Sequence, residues 1–300
     1  MKVIVFGAGN YGRKYISNCP DNIEIVAICD NRWNNFPGGV LGHKISSPKI
    51  IPEMEFDKIM IALNPNLNTT LESFNQIYSQ LTDMGIGPGK ICLTANDNPN
   101  LEGTVKYGLP RVQFLYDFAE FVYSRGLQGS AAELGVYKGD YAYHINKAFY
   151  DRRLYLFDSF ERFSESQLEW EEEHVKDILS SANKNLSVQI PMHEKIALAK
   201  CIYKDNVIIR KGFVPDTLEG MPEDRYVYIN LDMDIYVPTI AALEYFAPRM
   251  NEGGVIAVQD YGAADGFFTG VRRAVKEFID ANSSVRAVPI GDGTTLLLIF

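Results

Sequence analysis

The stretch Ala132-Glu133-Leu134-Gly135-Val136-Tyr137-Lys138-Gly139-Asp140 closes an apolar run with the spacing ExGxxxG. Glycines at a strand-to-helix turn let a ligand approach the backbone at the positive end of a helix. Two of them suffice for a ligand without a pyrophosphate, and Glu133 sets a carboxylate where an ammonium or sulfonium group can sit. Asp158 ends the next apolar run, 19 residues beyond Gly139, where a carboxylate can accept both hydroxyls of a ribose. Tyr137 lies in the loop itself, and Ser159 follows the acid directly. Together these residues describe a site for S-adenosylmethionine. Taken alone, ExGxxxG is also a plain strand–turn–helix.

Two later runs end in carboxylates. Tyr228-Ile229-Asn230-Leu231-Asp232-Met233-Asp234 closes one, and Val258-Gln259-Asp260 closes the other. In a parallel sheet, neighbouring strands bring such ends together at the C-terminal edge, where ligands bind. Clustered oxygen donors suit Mg²⁺ or Ca²⁺ better than zinc. A hard cation there would bind a substrate hydroxyl and lower its pKa, and Asp232 or Asp234 would take the proton. Strand-end aspartates also cap helices. For Asp234, ahead of a helix expected from about 238 to 247, that reading is equally open.

A second glycine loop stands near the N-terminus. Gly7-Ala8-Gly9-Asn10-Tyr11-Gly12 is GxGxxG directly after an apolar run, and Asp30 lies 18 residues beyond Gly12. That is the dinucleotide fingerprint, expected to hold a nucleotide or nucleotide-sugar. The alternative is that the glycines only let a helix pack closely on its strand. The unit is short for a complete dinucleotide site, and no Cys, His or Lys constellation for hydride transfer follows it. An NAD(P)- or nucleotide-sugar-dependent oxidoreductase or epimerase working from this loop is the rival enzyme class.

The elements that must position these residues alternate. In the first third, strands are expected at 2–6, 23–29, 58–63 and 90–93, with helices at 10–18 and 67–84 and mostly loop over 31–52. Residues 96–103 are nearly all turn formers, which places a linker there and divides the chain into 1–104 and 105–300. The second part opens on a helix at 111–124. Strands follow at 131–135, 154–158, 207–210, 226–232 and 255–260, separated by enough chain for crossovers. Segments 285–290 and 295–300 are joined too tightly for a parallel crossover and must form an antiparallel hairpin. The expected fold is α/β: a small Rossmann-like domain, then a doubly wound sheet ending in that hairpin.

Composition is consistent with this. The chain has 300 residues and a net charge of −9, of which −7 falls after residue 104, arguing against a nucleic-acid partner. No apolar run is long enough to span a membrane. The opening Met1–Gly7 is too short for a signal sequence. Four scattered cysteines read as reduced thiols of a cytoplasmic protein. A small-molecule acceptor and a homo-oligomer are expected.

With these motifs assembled, residues from about 111 to 300 resemble the macrocin O-methyltransferase family, which methylates sugar hydroxyls using S-adenosylmethionine and Mg²⁺. The matching stretches are Glu133–Asp140, Asp158-Ser159-Phe160-Glu161-Arg162-Phe163, Lys211-Gly212-Phe213-Val214-Pro215-Asp216-Thr217-Leu218, Leu231–Tyr236 and Gly253–Gly262. The resemblance implies a class I methyltransferase fold, with Gly212 among the cofactor-binding residues. It also implies metal ligation by Asp232 and by an Asp-Asp pair where this chain has Gln259-Asp260. A glutamine carbonyl can coordinate Mg²⁺ but brings no charge, so the metal would be weakly held, replaced or absent. A degenerate, non-catalytic binding protein is the third reading. The N-terminal part resembles the small Rossmann-like domains that precede catalytic domains in sugar-modifying enzymes.

The long insertion at 161–205 holds an acidic helix beginning Glu169-Trp170-Glu171-Glu172-Glu173-His174 and a second helical stretch at 192–203. A charge run is usually a solvated face; its place over the sheet edge makes a substrate lid the functional option. His144 reads as packing, while His174 or His193 could reach substrate from such a lid.

Overall fold

The computed structural model describes residues 1–19, 22–63, 70–94, 109–161, 163–175, 194–262 and 268–300. The expected linker at 96–103, the start of the helix at 67–69, Arg162 and His193 lie outside the described residues.

The chain divides into two compact units, residues 1–98 with 195–205, and residues 99–194 with 206–300. The first is built on a parallel sheet of β1 (Lys2–Phe6), β2 (Glu24–Cys29), β3 (Ile45–Ser46), β4 (Lys58–Ile61) and β5 (Ile91–Leu93), in the order β3-β2-β1-β4-β5. Helices α1 (Asn10–Ser17) and α2 (Thr70–Asp83) belong to it. The central β1, between β2 and β4, is a run of apolar residues with Val3, Ile4 and Val5 fully buried, as central parallel strands are. The two-residue β3 lies in the stretch expected to be loop; a period of two cannot be seen in two residues.

The second unit follows the expected order. It runs α3 (Leu109–Ser124), β6 (Ser130–Leu134), α4 (Asp140–Ala148), β7 (Leu154–Asp158) and α5 (Glu165–His174). After α6 (Glu194–Lys200), which groups with the first unit, come β8 (Val207–Lys211), β9 (Tyr226–Leu231), α7 (Tyr236–Phe246), β10 (Met250–Val258) and α8 (Thr269–Ala281). The chain ends in β11 (Arg286–Pro289) and β12 (Leu296–Ile299). The sheet order is β11-β12-β10-β9-β6-β7-β8, with β12 antiparallel to both neighbours. Counted from β6 as the first strand, this is the 3-2-1-4-5-7-6 order of the class I methyltransferase fold. Its core joins β6, β7, β9 and β10 to α7 and α8 through Leu134, Phe157, Ile229, Phe246, Ile256 and Val275.

Two boundaries differ from expectation. β10 starts at Met250, not 255, because Gly253 (φ +78°) and Gly254 allow a register shift that a side-chain-bearing pair would block. The described parts of the insertion divide between the units, 163–175 in the second and 195–205 in the first. Residues 195–205 group with the first unit, where Ile196, Ala197 and Ala199 are buried. There Lys58 Nζ donates to the Ile202 carbonyl (2.7 Å), and Lys204 Nζ donates to the Cys201 carbonyl (2.7 Å) and to Cys92 Sγ (3.0 Å). The apolar side of α6 decided its place, not its distance in sequence from the glycine loop. Among the described residues no helix is long and apolar enough to cross a membrane.

Candidate active site

The site begins where β6 stops. Gly135 has φ +83°, and a Cβ there would overlap the carbonyl oxygen of Asp232, so only glycine lets the ends of β6 and β9 approach this closely. The approach is fixed by Asp232 N donating to the Leu134 carbonyl (2.9 Å). Gly139, also left-handed at φ +75°, opens α4. Asp158 holds the loop between them. Its Oδ2 accepts from the amides of Val136 (2.7 Å) and Tyr137 (2.8 Å), and its Oδ1 accepts from Phe160 (2.6 Å).

A cavity of about 260 Å³ opens at this edge, and Gly135, Tyr137, Asp158, Ser159, Gly212, Asp232 and Asp234 all border it. The residues expected for a donor and for a proton acceptor thus meet on one wall. Glu133, Gly139, Gln259 and Asp260 are not on the lining. Glu133 is fully buried at the foot of the loop, with Oε1 accepting from Asn230 Nδ2 (3.2 Å) and Oε2 without a hydrogen-bond partner. Burial, reinforced by Asp232, raises its pKa well above the usual carboxylate range. An orphaned carboxylate oxygen costs free energy that a cationic ligand nearby would recover.

Asp232, Asp234 and Asp260 each offer a carboxylate oxygen within 4.8 Å of the others. Three such groups out of full solvent cannot all stay ionised. Burial raises all three. Asp234 is pushed well above its ordinary value, with Asp232 and Asp260 adding to it, and Asp260 rises to about 7 through burial and Asp232. The Arg111 guanidinium opposes the rise at Asp232. The backbone is strained here as well. Tyr137 (φ +48°), Phe160 (+52°), Asp234 (+65°) and Asp260 (+61°) are left-handed without being glycine, and all four lie at this sheet edge.

Arg111, on α3, was legible only as the polar start of an amphipathic helix. Its Nη1 donates to Gln259 Oε1 (2.6 Å) and lies 3.4 Å from Asp232 Oδ2. The carbonyl oxygen of Gln259, an expected ligand, thus faces a guanidinium, because α3 delivers a cation that no local pattern announced. Other wall residues also escaped the motifs, among them Gln167 on α5, whose Nε2 donates to the Val214 carbonyl (2.6 Å).

The acidic helix does dock at this unit. Glu171 is buried and accepts from the Tyr236 amide at the start of α7 (2.9 Å), while Trp170 stacks between His174 (4.4 Å) and Tyr236 (4.7 Å). His174 is thereby held in a stack and is not on the cavity lining. His144 is half-buried with Nδ1 3.1 Å from the Tyr116 hydroxyl, and desolvation lowers its pKa to about 4, so it packs as a neutral ring.

At the N-terminal loop, Gly7 (φ +116°) lies against Ala62, and a Cβ on Gly12 would overlap the Gly7 carbonyl. Space is open at Gly9. Asp30 Oδ2 accepts from the Ala8 amide (2.8 Å) and Oδ1 from Arg32 (2.7 Å). Close helix–strand packing accounts for Gly7 and Gly12, and loop bracing for Asp30, without a nucleotide.

The family described as Macrocin-O-methyltransferase (TylF) matches residues 66–292, and one described as C2185-like, N-terminal, matches residues 1–92. The chain is 30% identical over 174 residues to 8-demethyl-8-(2,3-dimethoxy-alpha-L-rhamnosyl)-tetracenomycin-C 4'-O-methyltransferase of Streptomyces olivaceus. That match covers 56% of this chain and 66% of the relative, just under two thirds of its length. It is 26% identical over 197 residues to Mycinamicin III 3''-O-methyltransferase of Micromonospora griseorubida, covering 62% of this chain and 74% of the relative. The solved structure of the O-methyltransferase NovP shares the fold, with TM-score 0.54 at 22% identity over 64% of this chain and 80% of that one. None of these relatives is named as an oxidoreductase or epimerase.

Proposed function

Because the chain belongs to the macrocin O-methyltransferase family, we propose that it transfers the methyl group of S-adenosylmethionine to a hydroxyl of a sugar or glycoside. The observation that carries this is the shared cavity: the glycine loop and Asp158 border the same space as Asp232 and Asp234. When bound, S-adenosylmethionine supplies an electrophilic methyl group, so the protein must orient an acceptor hydroxyl in line with it and accept one proton. Gly135 and Gly212 leave room on the wall, Asp158 keeps one lone pair, on Oδ1, for a ribose hydroxyl, and the orphaned Glu133 oxygen suits a cationic donor. Asp234 is the proton acceptor. It borders the cavity, and burial makes it more basic than an exposed carboxylate.

Magnesium is a separate matter. Asp232, Asp234 and Asp260 are hard oxygen donors of the right class. The set implied by the resemblance is nevertheless not assembled, since Gln259 Oε1 and Asp232 Oδ2 both face Arg111. Four free thiols, three of them buried, support a cytoplasmic setting.

Calorimetric titration with S-adenosylhomocysteine, followed by methyl-label incorporation into rhamnosides and nucleotide-activated deoxyhexoses, tests the reading. Binding and incorporation are expected. Tight NADH binding with no S-adenosylhomocysteine binding would refute it.

A further inference from the structure

The acid cluster beside the cavity contains a cation supplied by the chain itself. Arg111 Nη1 donates to Gln259 Oε1 at 2.6 Å and stands 3.4 Å from Asp232 Oδ2. Its guanidinium lies over the Tyr141 ring, 4.1 Å from the centroid, and the Tyr141 hydroxyl is fixed at 2.8 Å from that of Tyr228. Gln259 is held from the opposite side. Its Nε2 donates to Thr294 Oγ1 at 3.2 Å, and the Thr295 hydroxyl is 3.1 Å from Oε1. The amide nitrogen is held by the terminal hairpin, while the oxygen accepts from both the guanidinium and the hairpin's Thr295 hydroxyl.

We propose that Arg111 stands in place of a divalent cation in this active site, with Gln259 as its matched partner, so that methyl transfer here needs no metal. This rests on the methyltransferase reading of the cavity. Two of the three positions expected to bind metal, 232 and 259, turn their oxygens to the guanidinium instead. A divalent ion on Asp232 would face a fixed positive charge, and Gln259 offers no negative charge in exchange. Arginine does not give up its proton, so the exclusion does not relax with pH. Arg111 acts through Asp232, which borders the cavity, and is a positioning residue.

Mn²⁺ binding, read from loss of the free-ion EPR signal, tests this on wild type, R111M, Q259D and the R111M/Q259D pair. Each protein is first shown to bind S-adenosylhomocysteine, which separates misfolding from metal effects. Wild type is expected to leave Mn²⁺ free up to about 1 mM, the weak end of oxygen-ligand sites. The double variant is expected to bind about 10- to 100-fold more tightly, the range that rearranged partners of metal ligands produce. Wild-type methyl transfer is expected to survive EDTA. Micromolar Mn²⁺ binding by wild type, a double variant no tighter than wild type, or loss of transfer in EDTA would each overturn the proposal. Failure of wild type to bind S-adenosylhomocysteine would instead sink the methyltransferase reading, leaving the Mn²⁺ comparison to judge Arg111 alone.

Discussion

Asp260→Asn should make the ligand-free protein more stable, and only at higher pH. Burial and Asp232 raise the Asp260 carboxyl to about 7, and its side chain hydrogen-bonds Asp234, which burial also raises. A carboxyl whose folded pKa exceeds its unfolded value of about 4 favours folding most at low pH. That contribution is fully present below pH 4 and is lost as pH rises through 7. The three-unit difference corresponds to about 4 kcal/mol. Since the proton is shared with Asp234, roughly half, near 2 kcal/mol, belongs to one substitution. Asparagine keeps the size of aspartate and offers Asp234 a permanent N–H donor. For the second unit, residues 99–194 with 206–300, that stabilisation is roughly 4–8 °C in Tm. Thermal unfolding by circular dichroism, from about pH 4.5 to 8.5 in EDTA and without cofactor, would follow the gap between variant and wild type. The gap should be near zero at the acid end and widest above pH 7. A gap that does not change with pH, or a variant less stable at pH 8, would refute the argument that these carboxyls share protons in the folded state.

Gly135→Ala should weaken S-adenosylhomocysteine binding at least about tenfold, since left-handed backbone alone costs roughly 1–2 kcal/mol before the overlap with the Asp232 carbonyl is counted; an unchanged calorimetric Kd would contradict this. Asp234→Asn should lower kcat by about 10²- to 10⁴-fold, the usual contribution of a positioned base, and leave S-adenosylhomocysteine affinity nearly intact. A parallel loss of binding would mean that Asp234 shapes the cavity and does not take the proton. Glu133→Gln should reduce affinity for the cationic donor by about tenfold while the fold persists, because the amide keeps its contact with Asn230 but, unlike the carboxyl, cannot ionise beside a cation; equal affinity in both proteins would remove Glu133 from the site.

Much of the architecture was legible locally. β7 runs from Leu154 to Asp158 as its apolar run and terminal acid suggest, and the short connection before β12 requires the antiparallel pairing observed. Gly135, Asp158 and Asp232 were legible too, because a glycine or carboxylate at the end of a buried parallel strand is forced to the ligand-binding edge. What was not legible depends on side chains far apart in sequence. β3 is too short to carry a period, and α6 found its place in the first unit through apolar residues that would have served equally on another surface.

The amino-acid sequence by itself determined the succession of strands and helices, the glycine loop and the acids at the strand ends, because hydrophobic period and turn chemistry act between near neighbours. Tertiary structure alone decided how those acids are used. It set Asp234 and Asp260 in strained backbone, within reach of Asp232, so that they must share protons. It also laid α3 across the sheet edge, placing Arg111 against Gln259, 148 positions away. Electrostatic partners are chosen by distance in space, and that distance exists only once the sheet has closed.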